Sequence, residues 1–229
     1  MNRLRFVLIT RRYWPLVANE AALTADLAQG LREAGHETLV LTAQWHASWP
    51  PQVTDRGVRI LRMPISARGR WGGQRYARAI SSWLRKNADR FDAVYVAGMR
   101  EEAEAAVAAT QASKRPQGTG LAGDCHWQLE NPAGDRIKQA CLKAAGFIVA
   151  DAAQHDELIA AGFPRDRVWS IPSGVPELPA ASTWNRDQSR AALVACNRGF
   201  DLPRRAPLAL HQGPLAPGRG PETLLYAWP

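Results

Sequence analysis

Short apolar runs alternate along this chain with stretches in which apolar positions return every three or four residues. Leu4 to Thr10 is a near-continuous apolar run, the mark of a strand buried on both faces of a sheet. Glu20 to Ala34 carries Leu23, Leu27 and Leu31 at a spacing of four, which predicts an amphipathic helix with Gly35 as its stop. Strands are predicted at Thr38 to Thr42, Val58 to Met63, Ala93 to Ala97, Phe147 to Ala150 and Val168 to Ile171. Helices are predicted at Arg75 to Asn87, Glu101 to Ala112, Ile137 to Ala145 and Ala152 to Ala161, the last closed by Gly162. One strand is missing from the rhythm. Between Ala112 and Asp124 the sequence Lys114 to Leu121 has little apolar content, so the strand expected there is either very short or lost.

Strand and helix alternating this often predict an α/β fold, a Rossmann-like parallel sheet with helices on both faces. Right-handed crossovers then bring the carboxyl ends of the strands to one edge, where such folds bind ligands. The loops after Thr10 and Ala97 are therefore expected to line a cleft. After Pro172 the character changes: Pro176, Pro179 and Ser182 mark a linker. A helix-like stretch (Arg186 to Arg198), a strand (Pro207 to His211) and a loop entering a helix follow. The expected organisation is a domain over 1–176, then a linker and the incomplete start of a second domain over 177–229. So short a remainder buries too little surface to fold alone.

Composition narrows the class without naming a chemistry. No run approaches the ~18 residues needed to cross a bilayer. Phe6 to Ile9, flanked by Arg5 and Arg11, is too short for a secretory signal, so the expected location is cytoplasmic. Cys125, Cys141 and Cys196 are scattered and show neither a disulfide framework nor zinc spacing. The formal charge of +8 implies an anionic partner: a phosphorylated substrate, an anionic membrane surface or nucleic acid. Nucleic acid is disfavoured, because helix-turn-helix, zinc-finger and RNP signatures are lacking. No Gly-x-Gly-x-x-Gly follows the first strand, which disfavours a simple dinucleotide-binding protein.

Three local patterns converge on one family. Tyr13-Trp14-Pro15-Leu16-Val17-Ala18-Asn19-Glu20 follows the first strand and leads into a helix ending Ala34-Gly35-His36-Glu37. Asp156-Glu157-Leu158 runs through Gly162-Phe163-Pro164 to Ile171-Pro172-Ser173-Gly174-Val175. Leu210-His211-Gln212-Gly213-Pro214-Leu215 is followed by Gly218-Arg219-Gly220 and Leu224 to Trp228. In this order they resemble the GT-B retaining glycosyltransferases called family 4, from the start of the N-terminal domain to the start of the C-terminal one. The resemblance implies transfer of a sugar from a nucleotide-diphosphate sugar to a sugar or lipid-linked acceptor, with no cofactor and no metal.

It also implies roles. Ala18 and Asn19 stand where the family carries two glycines that let the backbone approach the donor diphosphate; Ala18 adds a Cβ there, and Asn19 can cap the helix. Gly213, Arg219 and Gly220 fall at the donor side of the second domain. Pro214 replaces a phosphate-binding arginine, while Arg219 can still clamp phosphate. The pair of glutamates that holds the donor sugar has no counterpart before the chain ends at Pro229. His126 is the nearest candidate for the histidine that contacts the transferred sugar, with Asp124 beside it to orient an acceptor hydroxyl or cap a turn. Trp14 is expected to stack on the acceptor or plug the strand end, and Arg100 with Glu101 to bind acceptor or form a salt-bridged helix start.

Arg68, Arg70, Arg75, Arg78, Arg85 and Lys86 surround an apolar stripe of Tyr76, Ile80, Trp83 and Leu84, with Trp71 just ahead. A basic amphipathic helix of this kind suits the inner face of an anionic membrane; its stripe can equally pack on the sheet and leave the arginines solvated. Two functions stay open. One is a glycosyltransferase that is inactive as this chain alone and completed by a second polypeptide or an oligomer. The other is a non-catalytic remnant or partner subunit that binds acceptor or membrane surface.

Overall fold

The computed structural model describes residues 3–16, 18–64, 69–113, 118–125, 132–174, 186–196, 199 and 220–227. In chain order its elements are β1 (Arg5–Thr10), α1 (Asn19–Glu33), β2 (Glu37–Ala43), β3 (Gln52–Asp55), β4 (Val58–Met63), α2 (Gly69–Lys86), β5 (Ala93–Met99) and α3 (Glu101–Gln111). There follow β6 (Gly118–Cys125), α4 (Pro132–Cys141), β7 (Gly146–Val149), α5 (Ala152–Ala160), β8 (Val168–Ser170), α6 (Arg186–Cys196) and α7 (Pro221–Ala227). The described strands form one sheet in the order β3-β4-β2-β1-β5-β6-β7-β8. All neighbours pair parallel except β3 with β4. This is the Rossmann-like α/β architecture expected from the alternation.

β1 earns its central place by burial on both faces, with Val7, Leu8 and Ile9 each 2% exposed or less. Val7 and Ile9 join the core under α2 and α3, and Leu8 the smaller core under α1. α2 sets Tyr76, Ile80 and Leu84 one turn apart against the larger core, and Trp83 stacks on Phe91 at its flank. Gly35 and Gly162 end α1 and α5 with positive φ, and in each case the glycine's own amide and the next one return to the last turn.

Three details depart from the sequence expectations. The strand expected to be very short or lost is present as β6, an eight-residue strand between β5 and β7. Leu121 is its buried apolar anchor, and the buried Thr119 hydroxyl meets Thr110 Oγ1 of α3 at 2.7 Å. Apolar content is a poor guide here because threonine takes a core position by finding a partner. In α1 the leucines are not the buried stripe. Ala21, Thr24 and Ala28 face the sheet, Leu27 and Leu31 pack at the flank, and Leu23 is 43% exposed. Small side chains let the helix lie close, and Thr24 satisfies its hydroxyl on Glu20 O at 2.7 Å. β3 is additional to the expected strands: it is an edge strand closed onto β4 by Arg56 and Gly57, both at positive φ as a two-residue hairpin requires.

The chain divides into two compact units, Met1–Gly174 and Val175–Pro229. In the second, the described elements are the helices α6 and α7, while the strand expected at Pro207 to His211 lies outside the described residues. Among the described residues no helix is long and apolar enough to cross a membrane.

Candidate functional site

The carboxyl ends of β1, β2, β4, β5 and β6 share one edge of the sheet, because these strands run parallel. At that edge the last residue of β1 and the one after it are held from four sides. Glu20, in the first turn of α1, accepts Thr10 Oγ1 at 2.5 Å and the Arg11 amide at 3.1 Å. Tyr76 of α2 donates to the Thr10 carbonyl at 3.0 Å, with Leu41 O also in reach at 3.3 Å. Trp45, after β2, donates its indole N–H to the Arg11 carbonyl at 2.6 Å. The Arg11 guanidinium meets α3: Nε lies 2.8 Å and 2.9 Å from the two oxygens of Glu102, Nη2 is 2.6 Å from Glu102 Oε2, and Nη2 also pairs with Glu101.

Glu102 is fully buried, so the electrostatics of this knot are those of a desolvated pair. Burial alone pulls the Arg11 guanidinium down, but the charge and hydrogen bonds of Glu102, then Glu101, hold it above its ordinary value. Burial raises the Glu102 carboxyl, and Arg11 offsets only part of that rise. Burial raises Glu101 as well, yet its own backbone amide and Arg11 bring it below the usual carboxylate range. Gly73 of α2 borders the knot, and a Cβ there would make ordinary contact with it, 3.4 Å from Arg11 Nη2 and 3.6 Å from Glu101 Oε1.

A second anchor holds the next residues. Arg62, 2% exposed at the end of β4, donates to Pro50 O at 2.8 Å and Trp14 O at 2.9 Å, and its guanidinium carbon lies 5.6 Å from the Trp49 ring centroid. No carboxylate pairs with it among the described residues, and burial lowers its pKa. Arg62 thus ties the β1–α1 loop to the β2–β3 loop, while the Trp14 indole remains 55% exposed. Beyond it Ala18 is the N-cap of α1, extended and contributing no side-chain hydrogen bond. Asn19 is the first helical residue, so it does not take the capping position that its side chain suggests.

On the other side of β1, β5 bulges at Gly98 (φ +96°), where its register with β6 shifts between Ala97 and Met99. Arg100 then forms the N-cap of α3. Asp124 and Cys125 are the last residues of β6, with Cys125 opposite Met99, so they sit within the strand and not in the loop after it. The fold therefore brings Trp14, Ala18, Asn19, Arg100, Glu101 and Asp124 to one edge. His126, Gly213, Arg219 and Arg68 lie outside the described residues. Gly220, in the second unit, precedes α7 at φ +93° and accepts the Leu224 amide at 3.0 Å. Arg70, Arg75, Arg78, Arg85 and Lys86 lie on α2; the last four are exposed, as is Trp71. Among the described residues no group of His, Cys, Asp and Glu gathers as a metal site would need.

Arg11, Glu20, Tyr76 and Glu102 are not among the site residues that the sequence points to. Glu102 does leave a signal: it shares its helical face with Ala106 and Ala109, both buried, and an acid at a core position needs a buried partner.

Comparison with known proteins fits this geometry. The fold resembles a sucrose-phosphate synthase from Thermosynechococcus elongatus, with TM-score 0.64 and 14% identity over 83% of this chain and 52% of that one. It resembles Arabidopsis thaliana UGT89C1 complexed with UDP-L-rhamnose, with TM-score 0.53 and 13% identity over 85% of this chain and 54% of that one. It also resembles a UDP-N-acetylglucosamine 2-epimerase from Rickettsia bellii, with TM-score 0.52 and 16% identity over 75% of this chain and 45% of that one. The chain thus spans about half the length of these structures. No curated protein sequence matches it. The family model described as "Glycosyl transferase 4-like domain" matches residues 21–174, from the first turn of α1 to the last residue of the first unit. With well over half of its length matched, the chain belongs to the glycosyl transferase 4-like domain family.

Proposed function

We propose that this chain is the acceptor-side part of a glycosyltransferase that moves a sugar from a nucleotide-diphosphate sugar to a sugar or lipid-linked acceptor. The observation that carries the reading is the start of α1 at the cleft edge. The N-cap residue of α1, Ala18, makes no side-chain hydrogen bond to the helix's first amides, the Glu20 carboxylate is turned onto Thr10 and Arg11, and Trp14 stands exposed in the same loop, an arrangement that favours an anion at the helix start. Relatives of the fold named with UDP-L-rhamnose and UDP-GlcNAc support a nucleotide-sugar donor. In this reading Ala18 and Asn19 present backbone to the diphosphate, with Gly213, Arg219 and Gly220 on the donor side. Trp14 stacks on the acceptor, Arg100 and Glu101 border it, and Asp124 and His126 handle the transferred sugar and acceptor hydroxyl. The protein's contribution is to hold two substrates face to face and to stabilise the leaving diphosphate.

The exposed basic face of α2 favours a companion reading in which an anionic membrane surface supplies the acceptor. This applies equally if the chain binds acceptor without turning over.

Calorimetry of the whole chain with uridine- and guanosine-diphosphate sugars tests the first reading. Binding that requires the diphosphate and weakens on Trp14→Ala only for the acceptor supports it. Failure to bind any nucleotide sugar or any oligosaccharide overturns it. Co-sedimentation with phosphatidylglycerol vesicles, lost when Arg75, Arg78, Arg85 and Lys86 are changed to Gln, supports the membrane reading; equal binding to neutral vesicles refutes it.

A further inference from the structure

We infer that Glu102 is a positioning residue: its two-pronged pairing with Arg11 sets the conformation of the loop that leads from β1 into α1. Glu102 is 0% exposed on a helix face shared with the buried Ala106 and Ala109, where an apolar side chain would pack without desolvating a charge. Replacing a buried ion pair by apolar residues is often neutral or stabilising, so net stability is a weak account of this one. Its placement is specific. The Arg11 side chain is fixed by α3, its amide by Glu20 of α1, and its carbonyl by Trp45. The carbonyl of Thr10 is fixed by Tyr76 of α2.

These two residues are thereby tied to three helices and to the segment after β2, and the chain leaves β1 in one direction only. Two features follow within eight residues: the exposed Trp14 and the N-cap of α1 at Ala18, which makes no side-chain hydrogen bond. Glu101 makes one contact with Arg11 and is partly exposed, so it supplements the pair without fixing its geometry. What the loop is positioned for rests on the proposed function; that Glu102 positions it does not.

The test uses the whole chain without ligand. Amide exchange is measured on Glu102→Gln, on Glu101→Gln, and on a double variant, Arg11→Met with Glu102→Leu, which fills the site with apolar atoms. Glu102→Gln and the double variant are expected to speed exchange in residues 11–18 by about ten-fold or more, while residues 146–170 stay unchanged. The Trp45 indole N–H resonance, identified by its loss in Trp45→Phe, is expected to move upfield in both as its bond to Arg11 O loosens. Glu101→Gln is expected to leave both readouts near the parent values. If Glu102→Gln does not fold, the double variant decides alone. Unchanged exchange in residues 11–18, or a rise spread evenly over the first unit, overturns the inference. Absence of both nucleotide-sugar and oligosaccharide binding by the parent would sink the functional reading and leave this one standing.

Discussion

Changing Tyr76 to Phe removes one oxygen from the interior and almost no volume. Tyr76 is 0% exposed on α2, and its hydroxyl reaches the Thr10 carbonyl at 3.0 Å and the Leu41 carbonyl at 3.3 Å. It is the clasp between α2 and the carboxyl ends of β1 and β2. The ring contacts survive the change, so no cavity term enters, and the cost is that of buried carbonyls losing a donor: about 1–3 kcal/mol. For a domain of this size, about 1.5 kcal/mol within that range lowers Tm by roughly 3–6 °C. The same residue gives a second readout. Burial raises the Tyr76 hydroxyl well above its ordinary value of 10.0, so above pH 10 the unfolded chain releases a proton that the native chain retains. Stability is fully present below pH 10 and falls as pH rises beyond it. Tyr76→Phe should flatten that alkaline decline, leaving Tyr13, pushed up to about 12 by burial and then by Asp55, and Tyr95 to carry the remainder. Thermal unfolding followed by circular dichroism from neutral pH to pH 11 reads both effects. A variant with Tm within about 1 °C of the parent and the same alkaline slope would refute the clasp.

Three further outcomes follow from single contacts. A Cβ at Gly146 would lie 2.1 Å from the Trp169 ring, so Gly146→Ala should destabilise in urea titration while Gly146→Ala with Trp169→Ala costs less than the sum of the two; additive costs would show that the ring simply swings away. Gly162→Ala places a side chain at φ +89° in the turn after α5 and should cost about 1 kcal/mol by the same measurement, an unchanged midpoint counting against that turn. Cys196 is exposed and should react promptly with a thiol reagent in the native chain, whereas Cys141, fully buried with its thiol pushed up to about 12 by burial and then by Glu104, should react only on unfolding. Mass mapping of modified peptides distinguishes the two.

Much of the architecture is legible in the amino-acid sequence. The apolar run of β1, the glycines after α1 and α5, and the stripe of α2 are local statements, and local physics fixes them: burial on both faces, positive φ, a 3.6-residue period. β6 and the buried side of α1 are not legible in the same way. Thr119 is a core residue only because Thr110 of α3 faces it, and Leu23 is exposed although its spacing matches a buried stripe.

At the candidate site the same division holds. Order and spacing of motifs are enough to point to the glycosyltransferase family, and parallel topology is enough to send the β1–α1 loop and the start of α3 to one edge. Connectivity is enough to bring Trp14, Ala18 and Arg100 to that edge, though not to set the conformation of the loop there. Glu102 does not: Arg11 is ninety-one positions away, and nothing in either segment names the other. Their pairing exists because β5 lies beside β1 and the bulge at Gly98 leads α3 in with its first turn against the end of that strand. Sequence determined which segments could be buried and where the chain turns. Tertiary structure alone decided which buried charges meet, because a desolvated carboxylate is tolerable only where the fold delivers its partner.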